Sequence, residues 1–363
     1  YLCRMTSDIV LEGIHDFPGG PDFEEFESED FDEETFLDLG LSTRSLRWRR
    51  FYKRWSFARA LRGCILWTSA MYLFVAMFLA LAAQISAYPG NVSRWWGGNT
   101  KNDFSLCSRF TFDGLDGTKL VGCRAEVGSG PPRVPLIFFH GNLGELTHAA
   151  FQASVLFLPL YYGFGRFKFN SSNASAPGLE IITSSYRGYD PNPALWSSQR
   201  TIVRDAEALL DYVLKSGAGN QSGRVLVAGW SLGAAVATQL AIRRPESVAG
   251  LMLISPFASG PDMGLYQMGS LITPWLWVGD QWNSEAAALS MPDDIPVAVV
   301  SGQADAVIPP SQHRRVFEAF RAHKFWLPVP KAGHGDLPLE AAVAKRGIYE
   351  WLKMSCGRLR WKK

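Results

Sequence analysis

Residues 225–240 read VLVAGWSLGAAVATQL, and they carry the clearest indication of the fold. Its apolar first four residues predict a buried strand, and the small residues at its end predict a helix. Between them, Gly229 and Gly233 flank Ser231 as in a nucleophile elbow, where a strained turn lifts a serine oxygen clear of the sheet. Ser231 is therefore the candidate nucleophile. The alternative interpretation is a serine in a strand-to-helix turn that has no chemical role.

An upstream segment can supply the second part of such a site. Residues 134–139 (VPLIFF) predict another buried strand, and His140-Gly141-Asn142 follows it directly. Acyl transfer develops negative charge on the substrate carbonyl oxygen, and two preorganised backbone N–H groups stabilise that charge. We assign these donors to Leu232 and Asn142. His140 precedes the nucleophile in the chain and is interpreted as support for this turn.

Two downstream segments complete a catalytic triad in the order Ser, Asp, His. The apolar run 295–300 predicts a strand that leads to Asp305, the candidate acid. The shorter run 325–329 predicts the next strand and is followed by His334, which lies between two glycines. A histidine in a loop after a strand is well placed to act as the general base. The order differs from those of chymotrypsin-like and subtilisin-like proteases.

Other carboxylates and imidazoles compete for these roles. Asp336 is an alternative to the candidate acid. Asp293 and Asp294 precede their strand and fall at its wrong end, because ligands bind at the carboxyl ends of strands in open α/β sheets. His313 and His323 lie in a predicted helical stretch and are interpreted as surface or core residues.

Six motifs together carry a family resemblance. The motifs are FFHGNLG (138–144), SSYRGYD (184–190), GWSLG (229–233), ISPF (254–257), SGQADAVIPP (301–310) and GHGD (333–336). With these motifs, the chain resembles over residues 102–355 the α/β-hydrolase domain-containing serine hydrolases, especially their membrane-anchored lysophospholipase-like and thioesterase-like branch. One departure is Asp190, where the family usually has glycine.

The resemblance implies an α/β fold of the α/β-hydrolase type, in which helices cover both faces of a mostly parallel sheet. It also implies a serine hydrolase that cleaves carboxylic esters, with lipid esters such as monoacylglycerol or lysophospholipid as the expected substrates. An acyl-protein thioesterase and a non-catalytic scaffold or receptor are the alternatives. A serine at the elbow argues against haloalkane or epoxide hydrolase chemistry. We expect no cofactor, no metal site and no nucleic-acid partner, because the corresponding motifs are missing from the sequence.

A substrate cap is expected around residues 256–291. In this fold, caps are built after the sixth strand, and the segment is rich in aromatic and apolar residues with few charges. We interpret it as a small helical cap with an acyl pocket that includes Phe257, Trp275 and Trp277. The alternative is that these aromatic side chains only cover the core.

A transmembrane helix is predicted over residues 63–86. The chain carries no charged residue from Gly63 to Ser93, and Cys64 to Ala83 is long and apolar enough to cross a bilayer. The basic juxtamembrane segment 44–62 precedes it, so the positive-inside rule places the N-terminus in the cytosol. We therefore expect a single-pass type II membrane protein whose catalytic domain is lumenal or extracellular.

Two further features agree with that orientation. Four glycosylation acceptors follow the predicted transmembrane helix. Cys107 and Cys123 flank a predicted first hairpin, and these two cysteines could form a disulfide in an oxidising compartment. Cys64 could instead be palmitoylated. The acceptors are Asn91, Asn170, Asn173 and Asn220.

The two ends of the chain differ from the hydrolase-like part. Residues 1–43 form an acidic tail, with thirteen carboxylates and one basic residue in the first forty positions, and such a stretch is expected to be disordered. Its interspersed phenylalanines could dock on a cytosolic adaptor, although a solvated tail is the simpler interpretation. A linker over 87–101 precedes the catalytic domain, and a basic tail over 356–363 follows it. Because the chain begins with Tyr1, we expect residues to precede it.

Overall fold

The computed structural model describes residues 55, 57–75, 77–78, 107–127, 133–142, 178–189, 191–192, 196–216, 223–268, 280–335 and 342–359. The chain divides into two units, Tyr1–Met71 and Tyr72–Lys363. The acidic tail over 1–43, the linker over 87–101, the segment 44–54 and residues 360–363 lie outside the described residues.

The N-terminal helical segment comprises residues 57–75, and their side chains are exposed. Within the part of the chain that the structure describes, no helix combines the length and hydrophobicity needed to cross a membrane. Residues 76 and 79–86 of the predicted transmembrane helix lie outside that part.

The second unit contains an eight-stranded sheet in the order β1-β2-β4-β3-β5-β6-β7-β8. Strand β2 pairs antiparallel with both of its neighbours, and all pairings from β4 to β8 are parallel. The predicted mostly parallel sheet is therefore confirmed. The strands are β1 (Ser108–Asp113), β2 (Lys119–Val127), β3 (Arg133–Phe139), β4 (Gly178–Ser184), β5 (Val225–Trp230), β6 (Val248–Ile254), β7 (Val297–Gly302) and β8 (Lys324–Val329).

Helices cover both faces of this sheet. Alternate residues of a strand point to opposite faces, so Val227 of β5 joins one apolar cluster and Leu226 joins the other. Side chains of α1, α2 and α5 bury into the first cluster, and Trp351 of α6 buries into the second. The helices are α1 (Gln199–Lys215), α2 (Leu232–Arg243), α3 (Gly260–Met268), α4 (Ser284–Leu289), α5 (Pro310–Ala319) and α6 (Ala342–Gly357).

The first two strands form the predicted hairpin. Its turn closes with a hydrogen bond of 2.8 Å from the Gly114 N–H to the Thr118 carbonyl, and Gly117 takes a φ of 77°. A disulfide joins Cys107 to Cys123, with 5.7 Å between their Cα atoms. This bond ties the chain entering edge strand β1 to its neighbour β2.

A buried ion pair connects the hairpin turn, the loop after β4 and helix α1. The guanidinium of Arg187 donates two hydrogen bonds to Asp205, of 2.7 and 2.5 Å, and a third of 2.8 Å to Asp116. Arg187 and Asp205 are buried, whereas the side chain of Asp116 is 48% exposed. Burial raises the pKa of Asp205, and the bonds from Arg187 oppose that rise. The pKa of Asp116 is well below its usual range, mainly because of the hydrogen bond from Arg187.

We expect Asp205→Asn to lower the free energy of unfolding by about 3 kcal/mol, because it leaves a buried guanidinium without its closest anion. Asp116→Asn is the matched control and should cost about 1 kcal/mol or less, since an exposed partner is screened by water. Urea unfolding of both variants followed by circular dichroism measures the difference. Equal losses would contradict the assignment of Asp205 as the main partner.

Candidate active site

The predicted nucleophile lies at a strained turn between β5 and α2. Ser231 has a φ of 57° and a ψ of −118°, a backbone conformation that residues other than glycine rarely adopt. Its N–H donates to the Ile254 carbonyl at 2.9 Å, and its carbonyl accepts from the Ala234 N–H at 3.0 Å. Bonds to β6 on one side and to α2 on the other hold the serine in this conformation.

The two glycines of the elbow permit close contact between backbones. A Cβ atom on Gly229 would lie 2.0 Å from the Gly233 carbonyl oxygen. A Cβ atom on Gly233 would lie 2.0 Å from the Phe139 carbonyl oxygen at the end of β3. The spacing seen in the sequence therefore lets the start of α2 pack directly against the ends of β5 and β3.

We expect Gly233→Ala to destabilise the protein by about 3 kcal/mol or more, because the backbone of β3 or α2 must move to admit the methyl group. Gly357→Ala is the matched control, since a Cβ atom there would meet nothing within 4 Å. Its effect should stay within about 0.5 kcal/mol. Thermal melts of both variants test this, and a Gly233→Ala melting temperature equal to that of the control would refute the packing argument.

The candidate acid and base contact each other directly. The Nδ1 atom of His334 donates to Oδ2 of Asp305 at 2.8 Å. The other carboxylate oxygen accepts from the backbone N–H groups of Val307 and Ile308, at 2.9 and 2.8 Å. Burial alone would raise the pKa of Asp305, but the hydrogen bonds from His334 and Ile308 outweigh it and lower the pKa from its usual value. The carboxylate is therefore ionised at neutral pH and fixes the proton of His334 on Nδ1.

His334 also lies beside the elbow. Its ring centroid is 5.5 Å from that of Trp230, the residue that precedes Ser231, and the two ring planes are inclined by 32°. The structure thus places His334, which bonds to Asp305, beside the residue that precedes the candidate nucleophile.

The predicted oxyanion turn is close to the nucleophile. A Cβ atom on Gly141 would lie 3.5 Å from Cβ of Ser231. Asn142 follows this glycine, and Leu232 is the buried first residue of α2. Gly141 and Ser231 therefore lie close together, and each is followed directly by one of the assigned donors, Asn142 and Leu232.

Two tyrosines of the SSYRGYD motif support this turn, a role that the sequence did not reveal. The Tyr186 hydroxyl donates to the His140 carbonyl at 2.7 Å, and the Tyr189 hydroxyl donates to Oδ1 of Asn142 at the same distance. His140 is completely buried, and its Nδ1 lies 2.7 Å from the Gly141 carbonyl. Burial raises the pKa of both tyrosines, which keeps their hydroxyl groups available as donors. The interpretation of His140 as support for the turn agrees with these contacts.

A second histidine lies on the other side of the candidate acid. His313 of α5 is completely buried, and its Nε2 is 3.6 Å from Oδ2 of Asp305. From the sequence, His313 is interpreted only as a surface or core residue. Its proximity to the acid depends on how α5 packs against β7, so spacing along the chain gives little sign of it.

The segment predicted to be a cap contains α3 and α4 and contacts the loop of the candidate acid. Tyr266 of α3 donates to the Ala306 carbonyl at 3.3 Å. Arg315 of α5 bonds to Asp262 of α3 and to Glu285 of α4, at 3.0 and 2.5 Å. Helix α3 thus contacts the acid loop, and both helices of the segment bond to the helix that follows that loop.

Of the three residues assigned to the acyl pocket, Phe257 is within the described part of the chain. Phe257 is buried in the core cluster that also holds Leu232 and Trp282. Trp275 and Trp277 lie outside the described residues.

Several other predicted positions also lie outside the described residues. They are Asn91, Asn170, Asn173, Asn220, Asp190 and Asp336. Among the residues that are described, no group of three or more His, Cys, Asp or Glu side chains is arranged to hold a metal ion.

A serine at a strained strand-to-helix turn, together with a sheet of this order, defines the α/β-hydrolase class. The family model described as alpha/beta hydrolase fold matches residues 134–269. An uncharacterized protein of Mycobacterium tuberculosis (strain CDC 1551 / Oshkosh) is 34% identical, over 61% of this chain and 70% of its own length. The chain belongs to the α/β-hydrolase family.

Two further likenesses come from more distant proteins. Protein bem46 of Schizosaccharomyces pombe is 26% identical over 56% of this chain and 62% of its own length. Est1E from Butyrivibrio proteoclasticus, solved with bound ferulic acid, superposes with a TM-score of 0.51 at 15% identity. That superposition covers 67% of this chain and 99% of Est1E, and it shows a shared fold.

Proposed function

We propose that this protein is a serine hydrolase that cleaves carboxylic esters through an acyl-enzyme, and that lipid esters such as monoacylglycerol or lysophospholipid are its substrates. The observation that carries the proposal is the hydrogen bond of 2.8 Å between His334 and the buried Asp305, beside a strained serine. A serine with only a structural role in a turn would not require a nearby imidazole whose proton is held in place by a carboxylate.

In the proposed mechanism, Ser231 attacks the ester carbonyl while His334 accepts its proton. Asp305 holds the imidazole with Nε2 towards the reaction and stabilises its charged form. The N–H groups of Leu232 and Asn142 bind the oxyanion of the tetrahedral intermediate. His334 then protonates the leaving alcohol, and water activated by the same histidine releases the acid and restores the serine. These steps need no external cofactor.

Attachment to a bilayer supports the choice of lipid esters. The N-terminal helical segment exposes large apolar side chains, with Phe57 and Leu66 each 70% exposed and Trp67 72% exposed. Such a surface favours contact with lipid over contact with water. With the uncharged stretch 63–93, it supports a single-pass anchor, a cytosolic N-terminus and a lumenal or extracellular catalytic domain.

The experiment that tests the chemistry is labelling with a fluorophosphonate, a probe that reacts with activated serines. Membranes from cells that express the full-length chain are treated with the probe, and the modified peptide is identified by mass spectrometry. We expect the label on Ser231. A folded protein that carries no label, or carries it on another serine, would overturn the proposal and favour a non-catalytic role.

Substrate class and orientation can then be tested together. Enzyme that has not been exposed to the probe is assayed with monoacylglycerol, lysophospholipid and a palmitoyl thioester, and its gel mobility is compared before and after glycosidase treatment. Ester cleavage with a glycosidase-sensitive mobility supports a lumenal lipid hydrolase. A preference for the thioester with no change in mobility would favour a cytosolic acyl-protein thioesterase.

A further inference from the structure

His313 lies in the first part of α5 and faces inwards. Its ring is completely buried, whereas the next two residues, Arg314 and Arg315, are exposed. Nδ1 of His313 lies 2.8 Å from the Ser301 hydroxyl oxygen on β7, and Nε2 faces Oδ2 of Asp305 at 3.6 Å. That carboxylate oxygen is the one that accepts from His334, so Asp305 lies between two imidazole rings.

The hydrogen bonds around Ser301 and the negative charge of Asp305 together favour one tautomer of His313. The Gln303 side-chain nitrogen is 3.0 Å from the Ser301 hydroxyl oxygen and 3.3 Å from the Ser301 carbonyl oxygen. A carbonyl only accepts, so this end of Gln303 is the amide donor. Ser301 accepts from Gln303, and its own proton is available for donation to Nδ1 of His313. The proton of the neutral ring is then on Nε2 and points towards Asp305. The other tautomer would point a lone pair at the carboxylate.

His313 acts on Asp305 as a dipole and not as a charge. Burial lowers the pKa of His313 from 6.5 to about 4, although the negative charge of Asp305 opposes the shift. The titratable groups that act on it are Asp305 and His334. The arginines beside it bond elsewhere: Arg314 to Glu318, and Arg315 to Asp262 and Glu285. A cation at this place would weaken the attraction between Asp305 and a protonated His334, whereas a neutral N–H orients the carboxylate without neutralising it.

We propose that His313 is a positioning residue for the triad, which holds Oδ2 of Asp305 towards His334 through an N–H group anchored by Ser301. Backbone donors fix only the other oxygen of the carboxylate, at Val307 and Ile308. At 3.6 Å the contact with His313 is longer than a hydrogen bond, so it acts as a charge–dipole attraction. The inference rests on the proposed function, because it assigns a role within the same triad.

The test compares His313→Leu, which fills the space without a donor, with His313→Gln, which keeps an N–H near the position of Nε2. His323→Gln is the matched control, since His323 is exposed and outside the site. For His313→Leu we expect kcat to fall about tenfold with little change in KM. We also expect the acid limb of the kcat/KM profile to move to higher pH, because a carboxylate that has lost a donor favours the protonated triad imidazole. His313→Gln should recover most of kcat and the wild-type profile.

Ser301→Ala provides a second measurement if His313→Leu fails to fold. It removes the anchor of the ring and should shift the acid limb in the same direction, with kcat about threefold lower. Rates are normalised to the fraction of enzyme that reacts with the fluorophosphonate, so a loss of folded protein does not imitate the effect.

The outcomes separate two failures. If wild-type enzyme reacts at Ser231 but His313→Leu and Ser301→Ala keep its kcat and pH profile, the positioning role is wrong and the proposed function stands. The role is also wrong if His313→Gln is as impaired as His313→Leu. If the wild-type enzyme neither reacts with the probe nor turns over esters, the proposed function fails and the positioning role fails with it.

Discussion

Replacing Ser231 by alanine is expected to lower kcat for ester hydrolysis by about 10⁵-fold or more, because no other group can form the acyl-enzyme at the elbow. The fold should persist, since Ser231 is held by backbone bonds to Ile254 and Ala234 that alanine also makes. Initial rates with a p-nitrophenyl ester and a circular dichroism melt measure the two properties on the same sample.

Ser290→Ala is the matched control for this prediction. Ser290 is exposed at the end of α4 and bonds only locally, to the Ala286 carbonyl. Its replacement should leave the rate within a factor of about two. If Ser231→Ala kept more than about a hundredth of the wild-type rate, another nucleophile would be required and the elbow assignment would be wrong.

Replacing Asp305 by asparagine is expected to lower kcat by about 10⁴-fold. Asparagine has nearly the same size, so the loop and its bonds to the N–H groups of Val307 and Ile308 can persist. Its amide can turn an NH₂ group towards His334, however, which favours the imidazole tautomer whose Nε2 is already protonated and cannot accept the serine proton. The variant also loses the charge that stabilises the imidazolium.

Asp336→Asn distinguishes this acid from its competitor in the sequence. We expect that variant to retain wild-type kcat, because the bond of 2.8 Å to His334 comes from Asp305. Steady-state kinetics of the two variants under identical conditions settle the assignment. An inactive Asp336→Asn beside an active Asp305→Asn would reverse it.

Local patterns explain why much of the fold and site could be predicted. The strand before Ser231 is a continuous apolar run because both faces of a central parallel strand are buried. The glycines of the elbow lie at positions where a Cβ atom would clash with backbone atoms of a neighbouring segment. The hairpin carries its own signal in the Asp113-Gly114 and Asp116-Gly117 pairs, which lie at the turn that the structure shows. Each of these features is encoded within about ten residues of the place where it acts.

Contacts that form only when the elements pack together account for what the sequence did not reveal. Tyr186 and His140 are 46 residues apart, and their hydrogen bond exists only because β3 and β4 are neighbours in the sheet. His313 and Asp305 are close in the chain, but only the packing of α5 turns that imidazole inwards. Neither contact leaves a periodic pattern, so the residues themselves look like ordinary core positions.

Most of the described non-glycine residues with a positive φ lie at the carboxyl edge of the sheet, where the chemistry is proposed. This placement limits how the thermal stability of the protein can be increased. Among the described residues, four other than glycine have a positive φ, and three of them follow the carboxyl end of a strand by one or two residues: Ser231 at 57°, Ser255 at 47° and Lys331 at 61°. The fourth, Trp282, precedes α4. Such conformations cost about 1–3 kcal/mol each in residues with side chains. Glycine at Ser255 or Lys331 would relax the backbone and offers a route to thermostability. At Ser231 the same relaxation would remove the nucleophile, so resistance to heat and catalytic activity compete at that single position.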